Sequence, residues 1–235
     1  MGLLWPQMLF CSARLEPQGN RMIKILFIDA NRFWDDQREF ETLTDHPGLL
    51  YLCGYLRQEF GLDYFDIKII YRDIEQSLAS FKPDVVGISS VTQNYNIAKS
   101  HAKLAKSAGC NVIMGGAHIS AMPDALTSDM DVGVVGEGEE TIAELMKLYE
   151  REKTFANKNL LHQVKGIAYS RNGEIIRTES RPLITPLDKI PFPARDCSYI
   201  KRGFGIFTSR GCPYKCRFCF TTLHWKKVRF FPPEH

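Results

Sequence analysis

Pro83-Asp84-Val85-Val86-Gly87-Ile88-Ser89-Ser90 is the stretch whose reading decides the fold. It is a short, nearly continuous apolar run with no in–out alternation, as expected of a strand covered on both faces. A helical pattern follows over Asn94–Ala108, with Ile97, Ala98, His101, Ala102, Ala105 and Ala108 on one face and Gly109 as its stop. Asn111–Met114 is then a second strand, running into Gly115-Gly116. Working outward, Ile23–Ile28, Asp66–Tyr71 and Val132–Val135 read as further strands. Pro47–Gly61, Ile74–Phe81, Asp124–Ser128 and Glu139–Arg151 read as helices, and Asn31–Asp45 as a loop with helical turns. Strands alternating with helices predict an α/β fold, a five-stranded parallel sheet covered on both sides.

Ligands of such sheets sit outside the carboxyl ends of the strands. Three stretches fall there: Ser89-Ser90-Val91-Thr92, Gly115-Gly116-Ala117-His118 and Gly136-Glu137-Gly138-Glu139. Adjacent glycines permit close backbone approach, and serine hydroxyls can hydrogen-bond a ligand. Glu137 and Gly138 are candidate contacts, whereas Glu139 and Glu140 read as an acidic helix start favoured by the dipole. His118 is either a cofactor contact or a plain loop histidine. His46 belongs with the Pro-led start of the following helix.

After Arg151 the pattern changes. Val164–Ser170 and Glu174–Thr178 flank Asn172-Gly173, a hairpin signal. A proline-rich connector follows, with Pro182, Pro186, Pro191 and Pro193. Gly205–Ser209 then reads as a strand leading into Arg210-Gly211-Cys212-Pro213-Tyr214-Lys215-Cys216-Arg217-Phe218-Cys219. The expected units are an extension (1–21), an α/β domain (22–151), a hairpin and connector (152–200) and a cysteine segment (201–235).

The totals are those of an ordinary globular chain: 235 residues, 44% hydrophobic, 24% charged, net charge +3. That charge gives no reason to expect nucleic acid, and Lys226-Lys227-Val228-Arg229 reads as a solvated basic patch. No apolar window approaches the ~20 residues of a membrane span, and no secretory leader is expected. Seven cysteines, three clustered and four scattered (Cys11, Cys53, Cys110, Cys197), do not form a disulfide framework. They suit a reducing, cytoplasmic setting with a metal site, and Cys53, Cys110 and Cys197 are expected to be structural or incidental.

Cys212, Cys216 and Cys219 are spaced so that one tight loop can wrap a cube-shaped 4Fe–4S cluster, with one iron left open. Zinc prefers four ligands, and the fourth would have to come from His224 or a distant cysteine. Three unrelated thiols are the remaining alternative.

With Phe218 before the third cysteine, this stretch resembles the radical S-adenosylmethionine enzymes. The resemblance implies that the three cysteines hold a 4Fe–4S cluster whose open iron chelates S-adenosylmethionine, and that reduction yields a 5′-deoxyadenosyl radical. Ser89-x-Val91 with Gly115-Gly116 resembles the cobalamin-binding domains. In order, Gly115–Pro123, Asp131–Thr141, Ile190–Asp196 and the cysteine loop resemble the cobalamin-binding subgroup of radical S-adenosylmethionine proteins. This implies a flavodoxin-like (Rossmann-like) cobalamin-binding domain, then the first strand and cluster loop of a (β/α) barrel. The implied cofactor contacts are Ser89, Ser90, Val91, Thr92, Gly115, Gly116, His118, Glu137, Gly138 and Phe218. The implied reaction is methyl transfer to, or rearrangement of, an unactivated carbon in a small molecule, with an electron donor such as flavodoxin or ferredoxin.

Cobalamin domains often carry a D-x-H-x-x-G string whose histidine ligates cobalt. Asp45-His46-Pro47-Gly48 has the wrong spacing, so His46 is not expected to be that ligand. A barrel needs ~200 residues, so the chain alone is expected to be catalytically incomplete. Phe220, Trp225, Phe230 and Phe231 are then expected to be left exposed. The alternatives are a non-catalytic cobalamin-binding module and a flavodoxin-like domain with adventitious metal.

Overall fold

A computed structural model of the chain describes residues 22–30, 46–197, 205–225 and 227–234. The expected loop over 31–45 and the extension over 1–21 lie outside the described residues. Strands β1 (Ile23–Asp29), β2 (Phe65–Ile70), β3 (Val85–Ser89), β4 (Asn111–Gly115) and β5 (Val132–Val134) are parallel in the order β2-β1-β3-β4-β5. That is a flavodoxin-like order, with its reversal between β1 and β3. The fold class read from the sequence is the observed one.

The sheet is nevertheless seven-stranded. Strands β6 (Ile167–Arg171) and β7 (Glu174–Arg177) form the predicted hairpin, with Asn172 and Gly173 at φ 54° and 85° as its turn requires. They extend the sheet beyond β5 in antiparallel pairing. The sheet thus has two strands more than the expected five, because β5 otherwise ends it with unpaired backbone groups, which the adjacent hairpin satisfies.

The strands alternate between two cores. Ile23, Ile25 and Phe27 face helices α1 (Pro47–Phe60) and α5 (Glu139–Glu152), which supply Leu49, Leu56, Leu145 and Met146. Leu26 and Ile28 face α2 (Ile74–Phe81) and α3 (Tyr95–Ser107). The buried stripe of α3 is Tyr95, Ala98, Ala102 and Ala105. Ile97 lies outside it and is exposed. The predicted helix over Asp124–Ser128 is replaced by α4 (Ala117–Ala121) and a 3-10 turn over Pro123–Ala125. Pro123 suits the start of a turn rather than a continuing helix. A four-residue helix, α6 (Lys158–Leu161), leads into β6.

The cysteine segment is small. β8 (Ser209–Arg210) pairs antiparallel with β9 (Arg229–Phe230), with α7 (Thr221–Trp225) between them. The expected barrel strand over 205–209 is thus a two-residue antiparallel rung. A parallel strand needs a crossover partner, and the segment folds back on itself.

Candidate functional site

A cavity of about 770 Å³ opens at the carboxyl edge of the sheet, within the size range of small-molecule and cofactor pockets. Its floor is built by strand ends. Asp29 and Ser89 come from β1 and β3, Gly115 ends β4 and Gly116 follows it. Gly87 lies opposite Phe27 in the register, and a Cβ there would stand 2.6 Å from the Phe27 ring. Gly116 is the sharpest requirement. Its φ is 92°, and a Cβ would lie 2.5 Å from the Ser90 carbonyl oxygen and 3.0 Å from Ser89 Oγ. Only glycine fits this bend without strain. The Ser90 hydroxyl is fully buried, with no hydrogen-bond partner among the described residues.

His46 caps α1 and lines one wall. Its Nδ1 accepts from Leu49 N–H at 3.2 Å, so the ring proton sits on Nε2, 3.3 Å from Ser89 Oγ. A protonated Nε2 has no lone pair for a metal, in keeping with a helix-start role. His118 turns away from the cavity. It is buried, stacks on Tyr95 at 3.8 Å between centroids, and has Nδ1 3.1 Å from Thr92 Oγ1. Burial and then the Lys99 charge hold its pKa below the ordinary histidine value.

The roof is the cysteine segment. Phe207, Ser209, Arg210, Gly211, Phe220, Thr221, His224 and Trp225 face the floor across the cavity. Burial depresses the His224 pKa. Of the aromatics expected to be exposed, Phe230 is, but Phe231 stacks on Tyr51 at 6.1 Å. Phe220 and Trp225 line the cavity.

Of the residues nominated from sequence, Ser89, Val91, Gly115, Gly116, Glu137 and Gly138 line the cavity. Ser90, Thr92 and His118 stand behind its wall. The Glu137 carboxylate is not open to a ligand: it is held by Arg210, Arg229 and the Ile184 N–H. Glu139 opens helix α5 as expected, and it is also buried and paired with Arg210. Arg229, expected in a solvated patch, is buried on the same carboxylate. Lys226 is outside the described residues. Sequence reading missed Arg210, Arg229, His224 and Trp225 as parts of this site. The available signal was an arginine in each of two short strands that flank the cysteines.

Cys212 and Cys219 are half-buried, Cys216 is exposed and Phe218 is 93% exposed. Hydrogen bonds from Thr221 hold the Cys219 thiol below its ordinary pKa. Three soft thiols on one loop suit an iron–sulfur cluster by donor type. Among the described residues, however, no group of three or more Cys, His, Asp or Glu is gathered to hold a metal ion. Cys53 and Cys110 are buried, and Cys197 packs against the core that contains Cys53.

This cavity lies at the switch point of a 2-1-3-4-5 sheet, with a glycine bend beneath it, which is where open α/β sheets take their ligands. Residues 38–146 match the family described as B12 binding domain. The chain is 34% identical, over 88% of its length and 47% of the relative's, to an uncharacterized methyltransferase of Pyrococcus horikoshii. It is 30% identical, over 90% of its length and 37% of the relative's, to an anaerobic magnesium-protoporphyrin IX monomethyl ester cyclase of Cereibacter sphaeroides. It is 29% identical, over 77% of its length and 29% of the relative's, to the cobalamin-dependent radical SAM methyltransferase TokK of Streptomyces tokunonensis. The chain therefore carries a B12 binding domain over residues 38–146, and the relatives that it matches are named as methyltransferases and a cyclase. It spans less than half the length of these relatives. Among the described residues, no helix is long and apolar enough to cross a membrane.

Proposed function

We propose that the chain holds cobalamin in the cavity at the carboxyl edge of its sheet and carries, on Cys212, Cys216 and Cys219, the cluster seat of a radical S-adenosylmethionine centre. One observation carries the reading: the floor of a B12 binding domain and the segment bearing the three cysteines enclose the same cavity. Bound together, the two cofactors would supply radical generation and methyl transfer to, or rearrangement of, an unactivated carbon. Ser89, Val91, Gly115 and Gly116 would bind and orient the corrinoid, with Gly116 admitting close backbone approach. Phe220, His224 and Trp225 would exclude water from above. His46, with its proton on Nε2, would leave the cobalt without a protein histidine. The names of the relatives, methyltransferases and cyclases, support this class of reaction. A flavodoxin- or ferredoxin-like donor would supply the electron.

Anaerobic reconstitution tests the reading. The expected result is about four irons and four sulfides per chain, a corrinoid absorption spectrum, and cob(II)alamin electron spin resonance without histidine nitrogen coupling. Release of 5′-deoxyadenosine under reduction would establish the radical function in this chain. A corrinoid spectrum without iron would favour a second reading, a non-catalytic cobalamin-binding module. The ungathered cysteines support that alternative. Uptake of neither cofactor overturns both.

A further inference from the structure

The cysteine segment leaves much of its apolar surface exposed, at Ile206, Phe207, Phe218 and Phe230. Among its described residues only Arg210 and Arg229 are fully buried, at 7% and 6% exposure. They are cross-strand partners in the β8–β9 rung, and both grip one carboxylate. Arg210 Nη1 donates to Glu137 Oε1 at 2.7 Å. Arg229 Nη1 and Nη2 donate to Glu137 Oε2 and Oε1 at 2.9 Å each. The Ile184 N–H, from the connector, adds a bond to Oε2 at 2.7 Å. Arg210 also donates to Glu139, and Arg229 to the Ile184 carbonyl. The Trp225 ring lies against both guanidiniums, at 5.9 and 5.4 Å.

An acidic residue beside a helix start is ordinarily satisfied by the helix end and by water. Glu137, only 6% exposed, instead takes four donor contacts from three separate parts of the chain. A buried ion pair adds little net stability over an apolar contact but does not tolerate losing a partner. Such a group specifies position more than adhesion. Arg210 lies two residues before Cys212. Between them Gly211, at φ 104°, backs so closely on the Lys227 carbonyl that a Cβ has no room. The start of the cysteine loop is therefore fixed from both sides.

We infer that Glu137 is a positioning residue: gripped by Arg210 and Arg229, its carboxylate seats the cysteine segment as the roof of the cavity and sets where Cys212 stands over the carboxyl edge of the sheet. The inference rests on the cobalamin-and-cluster reading only for what the roof covers. The seating is a property of the chain alone.

Hydrogen exchange by mass spectrometry on the cofactor-free chain tests it. Glu137→Gln is expected to speed exchange across residues 205–231 by about a hundredfold, while β1, β3 and β4 keep wild-type rates. Arg210→Met acts from the roof side and leaves the sheet side chains in place, so it decides the matter if Glu137→Gln does not fold. It should give the same local loosening, and the double variant should loosen no further than the stronger single. In a Trp5→Phe/Trp34→Phe background, Trp225 is the remaining tryptophan. Its quenching by acrylamide should rise in both variants. Unchanged exchange in 205–231, additive effects in the double variant, or equal loosening of the sheet in Arg210→Met would each overturn the seating. With hydroxocobalamin loaded, Glu137→Gln should release corrinoid faster, and an unchanged release rate would overturn the roof. Failure of the wild-type chain to take up hydroxocobalamin would sink the proposed function, while the exchange data would still decide the seating.

Discussion

The floor and the roof of the cavity are built on different physics. The floor is a sheet with two apolar cores, in which Ile25, Leu26, Ile28, Leu145 and Met146 are fully buried. Among the described residues of the roof the buried ones are two arginines, and Phe207 and Phe231 lean on the domain by stacking on Tyr51 at 5.4 and 6.1 Å. Apolar burial is strong but non-directional. Charge-assisted hydrogen bonds are directional and geometrically selective. The floor can therefore persist on its own, whereas the roof depends on one carboxylate for its seat.

The contrast has graded consequences. The largest belongs to the floor: Leu145→Ala should lower stability by about 2–5 kcal/mol in urea unfolding, whereas Phe230→Ala, at an exposed roof site, should stay within about 0.5 kcal/mol. Equal losses would erase the distinction. Next is Gly116→Ala, which places a Cβ on the Ser90 carbonyl at a positive φ and should cost about 1–3 kcal/mol. It should also weaken hydroxocobalamin retention, measured by absorption after gel filtration.

Acid should separate the two regions. Burial alone would raise the Glu137 pKa, but hydrogen bonds from Arg229, Arg210 and Ile184 hold it below its ordinary value of 4.5. A carboxylate depressed in the fold contributes fully above its unfolded value and loses that contribution as pH falls through the folded one. The charges facing it are Arg210, Arg229 and Glu139, with His224 nearby. Trp225 fluorescence should hold steady down to pH 4.5 and change only below it. A transition above pH 4.5 but below 6.5 would instead report His224, which lies edge-on to Trp225 and whose pKa burial lowers from 6.5. The smallest structural effect is expected of Cys216→Ala, an exposed site. It should leave melting within about 0.5 kcal/mol of wild type and abolish iron retention after reconstitution.

The floor was legible in the sequence because its signals are local. Val85–Ile88 carries no polar side chain, Asn172-Gly173 dictates a turn, and Gly115-Gly116 ends a strand. The roof was not, because its contacts join residues 73 and 92 positions apart, and no local window carries that pairing. Arg229 beside Lys227 reads as surface charge until its partner is seen. His118 was ambiguous for a related reason: next to Gly116, a one-residue difference in helix phase decides whether the ring faces the cavity or Tyr95.

The β6–β7 hairpin has a consequence of parity. The chain enters it at the carboxyl edge, where Val135 N–H donates to the Gly166 carbonyl, and leaves at the same edge, where Thr178 N–H donates to the Ile167 carbonyl. Two antiparallel strands cancel in direction. A single added strand would have delivered the connector to the opposite edge, some five residues or roughly 17 Å away, and the cysteines would have had to climb back. An even strand count starts the connector at the edge where the cavity opens, so a variant that adds or removes one edge strand would start it from the far edge with every residue of the site intact.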